Sequence, residues 1–197
     1  MNSNAKTKKI AVMAMLVALS VVMVFLVRFP ILPSAPFLEY DPADIPILIG
    51  AFAYGPLAGL VLTVVASLIQ GFSVSATSGL YGILMHIIAT GTLVLVSSGI
   101  YRIKHTRAGA VIGLICGTIS MALIMMVANH FITPFYMLVP VDVVDAMLLP
   151  VILPFNLIKA GLNSIITFVV YKVVSRYIVH GEPLKGKESE NICDSEA

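Results

Sequence analysis

The sequence predicts an all-α integral membrane protein, a bundle of six transmembrane helices with both the N-terminus and the C-terminus in the cytoplasm. Hydrophobic residues make up 59% of the 197 residues, charged residues only 11%, and the mean hydropathy is +1.01. A soluble domain carries about 25% charged residues, so this chain has too few to cover a water-facing surface. That excludes a nucleic-acid-binding protein, a disordered regulator and an ordinary cytosolic enzyme. Long uncharged blocks and clustered basic residues are the two other supporting observations.

The first uncharged block predicts the first helix. It runs over Ile10–Val27 and is 18 residues long. This is longer than the apolar region of a usual secretory signal peptide, and no A-x-A cleavage site follows it. We therefore expect a retained transmembrane helix.

The second uncharged block predicts three helices. Residues 45–101 contain no Asp, Glu, Lys or Arg, which is too long for two helices of about 20 residues each. A turn signal at Tyr54-Gly55-Pro56 and a small, polar stretch at 71–79 divide the block near 45–54, 56–70 and 79–101. Because ten helical residues cover only about 15 Å, we expect the first of these helices to begin earlier, near Asp41 or Asp44. Otherwise another segment must fill part of the membrane depth.

Two further helices are expected near 108–130 and from Pro150 or Pro154 to about Tyr177. The basic residues decide between six spans and five. With six spans, ten of the twelve Lys and Arg residues fall on one side of the membrane, and only Arg28 and Lys159 do not. With five spans, the cluster at 102–107 would lie on the opposite side. The positive-inside rule therefore favours six spans.

The predicted layout is a membrane domain over 1–179 followed by a disordered cytoplasmic tail over 180–197. It places two external loops near 28–44 and 131–153. Nine of the eleven prolines lie in or beside these loops. Single prolines often only end a helix. As a group they indicate two rigid loops that form a lid or vestibule.

Three polar residues of the last helix share one face. Asn156, Lys159 and Asn163 are spaced i, i+3 and i+7 in an otherwise apolar or small stretch. A lysine at membrane depth costs about 2.5–3.5 kcal/mol, and such residues usually face the bundle interior or a ligand. The alternative is that Lys159 snorkels to the headgroups, which the two asparagines cannot do. We expect these three residues to bind a substrate.

More polar and aromatic residues are expected in the external half of the bundle. Asn129 ends the fifth helix, His86 lies about two turns into the fourth, and Tyr81 is near its start. Interhelical hydrogen bonds or an interfacial aromatic belt could also account for such residues. Together with the last helix they indicate a pocket that is open outward and closed inward. A flat ligand with a hydrogen-bonding edge and a polyhydroxyl arm would suit it.

Several chemical functions lack a signature. No G-x-x-x-x-G-K-[ST] segment, Ser/His/Asp constellation or metal-ligand cluster is evident, so we predict no catalytic residues, no metal and no cofactor. Uphill transport would need energy from partner proteins or from a gradient.

Ala11, Ala14 and Ala18 form a small-residue stripe on the first helix. Such a stripe permits either packing inside the bundle or docking to another membrane protein.

Four segments carry a resemblance to a known family. They are Phe37–Pro46 (FLEYDPADIP), Gln70–Ser75 (QGFSVS), Ser78–His86 (SGLYGILMH) and Asn156–Gly161 (NLIKAG). They resemble the riboflavin-specific S component of energy-coupling factor (ECF) vitamin transporters, a bacterial family, over about 10–178. The resemblance implies a six-helix, multi-pass protein of the bacterial cell membrane that captures riboflavin from outside.

The resemblance also implies partners and contact residues. The expected partners are a transmembrane coupling protein, which the alanine stripe would contact, and two cytoplasmic ATPase subunits. The positions that match flavin-approaching residues are Leu38, Glu39, Tyr40, Asn129, Asn156 and Lys159. An S component for another vitamin is the first alternative. A stand-alone proton-driven transporter is less favoured, because the predicted spans contain no Asp or Glu, and an intramembrane enzyme lacks a catalytic pair.

Overall fold

A computed structural model of the chain describes residues 3–33, 35–74 and 78–178. The helices are α1 (Ser3–Leu26), α2 (Asp44–Tyr54), α3 (Pro56–Phe72), α4 (Gly79–Ile103), α5 (Arg107–Met137), α6 (Val141–Met147) and α7 (Leu153–Ile178). A π-helical turn, Leu148–Ile152, joins α6 to α7. Two short strands, β1 (Phe29–Pro30) and β2 (Glu39–Tyr40), pair in antiparallel fashion between α1 and α2. The predicted disordered tail, 180–197, lies outside the described residues.

The predicted all-helical class is confirmed. By length and composition, four helical segments among the described residues suffice to cross a membrane: Lys6–Leu26, Gly79–Ile103, Arg107–Met137 and Val141–Tyr171. The other two apolar helices, α2 and α3, are shorter, at 11 and 17 residues. Membrane crossing by all six, with both termini in the cytoplasm, stays a prediction.

The predicted break between the second and third helices is present. Gly55 has φ +93°, a backbone conformation that glycine adopts without strain, and Pro56 opens α3. Proline suits the first turn of a helix because its missing N–H would have had no intrahelical partner there. The chain therefore turns from α2 into α3 through a single residue.

The prediction that residues 131–153 form a second external loop is wrong. Helix α5 continues to Met137, and the helical path resumes at Val141, so only 138–140 are outside helices. The prolines of this region are accommodated by the helices. Pro134 lies in the last turn of α5, and its carbonyl accepts the capping N–H groups of Leu138 and Val139. Pro140 directly precedes α6, where proline is tolerated.

Helix α2 runs through the middle of the bundle. Nine of its eleven residues, Asp44–Phe52, are buried, and it packs against α1, α3, α4 and α7. A helix that is apolar on nearly every side is typical of a core position. Because protein surrounds α2, a length shorter than the membrane is sufficient. Its first residue, Asp44, is consequently carried into the protein interior.

Glycines allow α4 and α5 to approach each other closely. A Cβ atom added at Gly113 would lie 2.5 Å from the carbonyl oxygen of Ser97, and one at Gly117 would meet Leu93. Such small residues let membrane helices pack backbone to backbone. The α4–α5 pair is therefore closely packed, and α4 of this pair contacts α2.

Candidate functional site

A cleft opens between the β1–β2 segment and helices α3, α4, α5 and α7. Its volume is about 160 Å³. One side of the lining is apolar and contains Val24, Phe37, Ile83, Met85, Ala89, Met121, Met125 and Phe155. The polar part of the lining contains Arg28, Glu39, Asp41, Ser67, Gln70, Ser78, His86, Asn156 and Lys159. Four of the predicted site residues therefore line the cleft: Glu39, His86, Asn156 and Lys159.

Lys159 is bound to a carboxylate that the sequence analysis did not assign to the site. Its Nζ donates to Asp41 Oδ2 at 2.6 Å, and the two side chains are 11% and 15% exposed. Lys159 therefore does not snorkel to the surface. It lies in the cleft wall with a charged donor beside a charged acceptor. The signal that could have identified Asp41 is the requirement of a buried lysine for a counterion.

Asn163, one helical turn after Lys159 in α7, also binds the region around Asp41. Its amide nitrogen donates to the backbone oxygen of Asp41 at 3.1 Å and to Asp44 Oδ2 at 2.9 Å. Its amide oxygen accepts from the Tyr40 hydroxyl at 2.9 Å. The predicted common face of Lys159 and Asn163 is confirmed, since both contact Asp41. Asn163 is fully buried and lies behind the cleft rather than in its lining.

Asp44 is a buried carboxylate at the first turn of α2, with 0% exposure. Its Oδ1 accepts from the Thr90 hydroxyl at 2.6 Å, and His86 Nε2 lies 3.7 Å from the same oxygen. The expectation that the helices hold no acidic residue is therefore wrong. The expected start of this helix near Asp41 or Asp44 is confirmed, because α2 begins at Asp44, and this start places a carboxylate in the helix itself.

Two other polar cleft residues, Gln70 and Arg28, connect separate parts of the chain. Gln70 of α3 donates to the Ser20 hydroxyl at 3.1 Å, and Ser20 donates to the backbone oxygen of Ala43 at 3.0 Å. Arg28 pairs with Glu39 and donates to the backbone oxygen of Val74 at 2.9 Å. Arg28 and Gln70 are further site residues that the sequence analysis missed. These contacts hold the β1–β2 segment against α1 and α3.

Two asparagines predicted for the site make local hydrogen bonds. Asn156 lines the cleft, and its amide nitrogen donates to the backbone oxygen of Ile152 in the π-helical turn at 2.8 Å. Asn129 is 2% exposed and bonds within α5, to the Met125 carbonyl and the Thr133 hydroxyl. Asn129 is absent from the cleft lining in this conformation.

Three other predicted residues are near the cleft but outside its lining. Tyr40 is 7% exposed, and its hydroxyl points to Asn163. Burial raises the pKa of the Tyr40 hydroxyl, and the charges of Asp41 and Asp44 raise it further, so the hydroxyl stays a donor. Leu38 is half-buried. Tyr81 is 44% exposed and its ring lies 5.9 Å from that of Tyr136.

The alanine stripe of α1 is exposed along its whole length. Ala11, Ala14 and Ala18 are all exposed, whereas Leu16 and Val17 of the same helix are buried. The three alanines therefore do not pack inside the bundle. Their predicted role in docking to another membrane protein stays a prediction.

Comparison with known proteins places the chain in a transporter family. The model of the substrate-specific component of ECF transporters matches residues 8–171. The riboflavin transporter RibU of Staphylococcus aureus (strain TCH60) is 28% identical over 180 residues, which cover 88% of this chain and 93% of RibU. The riboflavin transporter FmnP of Bacillus subtilis (strain 168) is 27% identical over 174 residues, covering 84% and 91%.

A solved structure of the S component of a bacterial ECF transporter has the same fold. It superposes with a TM-score of 0.76 at 27% identity and covers 88% of this chain and 98% of that chain. The family model spans most of the sequence, and its members are transport proteins rather than enzymes. The chain therefore belongs to the family of ECF transporter substrate-specific components, the membrane subunits that work with an ECF module.

Proposed function

We propose that this chain is the riboflavin-binding S component of an ECF transporter and that it captures the vitamin in the cleft. The observation that carries the proposal is the Lys159–Asp41 pair in the cleft wall. The pyrimidine edge of a flavin presents an N–H donor flanked by two carbonyl acceptors. An ammonium next to a carboxylate offers the complementary donor and acceptor at one place.

The rest of the lining suits the other parts of riboflavin. Phe37, Phe155 and the methionines of the apolar side provide flat and deformable contacts for an aromatic ring system. Gln70, Ser78 and Asn156 provide hydrogen-bonding groups for a polyhydroxyl chain. These contacts, with Glu39 and His86, define the proposed binding residues among those that line the cleft.

The cleft must widen to admit the ligand. Its volume of about 160 Å³ is below the roughly 300–1,000 Å³ typical of pockets for drug-sized ligands. The β1–β2 segment is the element able to move, because it lies outside the helices and the Tyr40–Asn163 hydrogen bond that joins it to α7 is a side-chain contact. Movement of this segment would open the cleft and let Leu38 and Tyr40 contact the ligand, a contact that the family resemblance implies.

The proposal extends to location and partners. The chain would cross the bacterial cell membrane several times with cytoplasmic termini. It would join a transmembrane coupling protein and two cytoplasmic ATPases, the former at the exposed alanine stripe of α1. An S component for another vitamin is less favoured, because the curated relatives reported above are riboflavin transporters.

Purified protein tests the ligand. We expect one riboflavin per chain, with quenching of the flavin fluorescence, and a yellow preparation from flavin-replete cells. Thiamine and biotin serve as control ligands in the same titration. Unquenched riboflavin together with stoichiometric binding of either control vitamin would overturn the assignment.

A further inference from the structure

A second cavity, separate from the cleft, lies between α5 and α7. Its volume is about 360 Å³, and residues 111–119 of α5 and 161–169 of α7 line it. The same two helices line the cleft with residues from 121–125 and 155–159. The helices therefore run antiparallel here, and the second cavity lies next to the cleft on the side of Arg107. We call it the α5–α7 groove.

The sides of the α5–α7 groove are apolar side chains that the protein leaves exposed. They are Val111, Ile115, Ile119, Ile165, Phe168 and Val169. Leu114 and Ser164 are buried and lie deeper in the groove. A Cβ atom added at Gly161 would meet no atom within 4 Å. The missing side chain of this glycine therefore leaves the groove open.

The polar side chains of the groove bond to each other rather than face a ligand. The hydroxyl oxygens of Thr118 and Ser164 lie 3.2 Å apart and share a hydrogen bond. A polar ligand would lose hydrogen bonds to water on entering such a groove, and this loss is costly when no partner replaces them. A hydrocarbon chain loses none. The lining therefore favours a hydrocarbon.

Exposed basic residues lie at one end of the groove. Arg107, the first residue of α5, is spaced i, i+4 and i+7 with Val111 and Leu114, so all three share one helical face. Arg102 and Lys104 lie at the end of α4, and all three basic side chains are exposed. Clusters of this kind attract anionic lipid headgroups. The groove thus extends from a positively charged end into an apolar channel.

The length of the groove distinguishes a lipid chain from a protein partner. Its lining begins about 6 Å and ends about 18 Å along α5 from Arg107, at a rise of about 1.5 Å per residue. Half of the hydrocarbon core of a bilayer is about 15 Å thick, so the groove has the depth of one leaflet. A transmembrane helix of a partner protein or of a second copy spans about 30 Å, more than twice the length of the groove.

We propose that the α5–α7 groove binds one acyl chain of an anionic phospholipid whose phosphate group lies at Arg107. The chain occupies the space above Gly161 between the exposed apolar side chains. The basic residues complement the charge of the headgroup. No residue of the cleft takes part, so the lipid site and its tests do not depend on the proposed function.

Gly161→Leu tests the groove by filling it. Purified protein in detergent is mixed with palmitoyl-oleoyl phosphatidylglycerol or with the corresponding phosphatidylcholine, and native mass spectrometry counts the lipids that stay bound. We expect wild type to retain one phosphatidylglycerol and about fivefold less phosphatidylcholine, the effect of one basic residue near an anionic headgroup. Gly161→Leu should retain about fivefold less phosphatidylglycerol than wild type, because the leucine occupies the place of the chain.

Gly99→Leu is the matched control. Gly99 is a half-buried glycine of α4, outside the groove, and a Cβ atom added there would also meet no atom within 4 Å. This variant should retain phosphatidylglycerol as wild type does. Unchanged retention by a folded Gly161→Leu protein would overturn the lipid site. A wild-type dimer that Gly161→Leu dissociates would also overturn it and assign the groove to a second copy.

A fluorescent reporter tests the site without filling it. The chain contains no tryptophan, so Phe168→Trp and Leu95→Trp each introduce a single one. The two side chains are 40% and 41% exposed, but Phe168 lines the groove and Leu95 of α4 does not. In bilayers that mix the two lipids, with bromine on the chains of one of them, quenching reports which lipid contacts the tryptophan. We expect about fivefold preference for phosphatidylglycerol at Phe168→Trp and none at Leu95→Trp.

Arg107→Gln, added to Phe168→Trp, tests the headgroup contact. The preference for phosphatidylglycerol should fall below about twofold, because the charge that attracts the phosphate is gone. Equal quenching by the two lipids at Phe168→Trp would overturn the proposal. A preference that Arg107→Gln leaves unchanged would overturn it as well.

Discussion

Two segments of the chain have similar proline and acidic-residue content and very different structures. Residues 27–43, the first segment, and residues 131–153, the second segment, are both rich in proline and both carry acidic residues. The described residues of the first segment form the β1–β2 pair and its turns, whereas the second segment is helical except for 138–140. Proline content therefore does not distinguish a loop from a helix whose prolines lie near its ends.

The acidic residues of the two segments also differ in their environment. Asp41 of the first segment binds Lys159 in the cleft wall, with both side chains at most 15% exposed. Asp145 of the second segment binds His130 at the surface, with exposures of 40% and 38%. Loss of one partner is costly for a buried pair and nearly neutral for an exposed one. The comparison predicts that function depends on the first segment.

Replacing Lys159 by leucine gives the largest expected effect. Asp41 and Asp44 would stay buried without their cation, and loss of one partner of a buried pair costs about 3–5 kcal/mol. We expect a lower melting temperature and a loss of riboflavin affinity of about two orders of magnitude or more, measured by fluorescence quenching. His130→Leu removes the side chain that contacts Asp145 of the second segment and should change both quantities little.

A double variant separates folding from binding at this site. Lys159→Leu combined with Asp41→Leu removes both charges and should recover part of the lost thermal stability without recovering riboflavin binding. Wild-type affinity in the folded double variant would contradict the role proposed for the pair.

Replacing Ala14 by tryptophan should separate capture from transport. Ala14 is exposed on α1 and belongs to no part of the cleft. We expect unchanged riboflavin binding by the purified protein and loss of riboflavin uptake in cells, because the large side chain would prevent close approach of a partner helix. Ala146→Trp is the matched control, since Ala146 is an exposed alanine of the second segment. Normal uptake by Ala14→Trp would contradict the docking role.

Much of the fold was predictable because its signals are local. Low charge predicted the all-helical membrane class, and Tyr54-Gly55-Pro56 predicted the turn between α2 and α3. The periodicity of α7 placed Lys159 and Asn163 on one face. Each of these depends on residues close in the sequence, where helical geometry alone determines which side chains meet.

The partners in the site were not predictable in the same way. Asp41 and Lys159 are 118 residues apart in the sequence. Their contact depends on α2 running through the bundle centre, which carries Asp41 and Asp44 inward. The sequence analysis placed both aspartates at the external end of the second helix or in the loop before it and did not pair either with Lys159, so it left Lys159 without a counterion. The partners of Asn129, Met125 and Thr133 of its own helix, likewise depend on how α5 packs in the bundle.

Two buried asparagines, Asn163 and Asn129, allow a similar comparison for neutral side chains: the first contacts residues near the first segment, and the second bonds within its own helix. Asn163 hydrogen-bonds to Asp44, Tyr40 and the backbone of Asp41, whereas the hydrogen bonds of Asn129 to other described residues lie within α5. Asn163→Leu leaves several buried polar groups unpaired at about 1–3 kcal/mol each, so its melting temperature should fall more than that of Asn129→Leu. A larger loss of riboflavin affinity in Asn129→Leu would show that Asn129 reaches the ligand in the bound state.

The smallest expected effect is that of Asp145→Asn in the second segment. Its partner, His130, is half-exposed, so loss of the pair should cost less than about 1 kcal/mol and leave riboflavin affinity within twofold of wild type.

A salt titration gives a sharper test, because exposed ion pairs are screened at high ionic strength and buried pairs much less. In 1 M NaCl, a condition in which the screening length is about 3 Å, the difference in melting temperature between wild type and Asp145→Asn should vanish. The difference between wild type and Lys159→Leu should persist, since Asp41 and Asp44 remain buried without their cation. If Asp145→Asn weakened riboflavin binding as strongly as Lys159→Leu, the second segment would belong to the binding site, and the functional contrast between the two segments would be wrong.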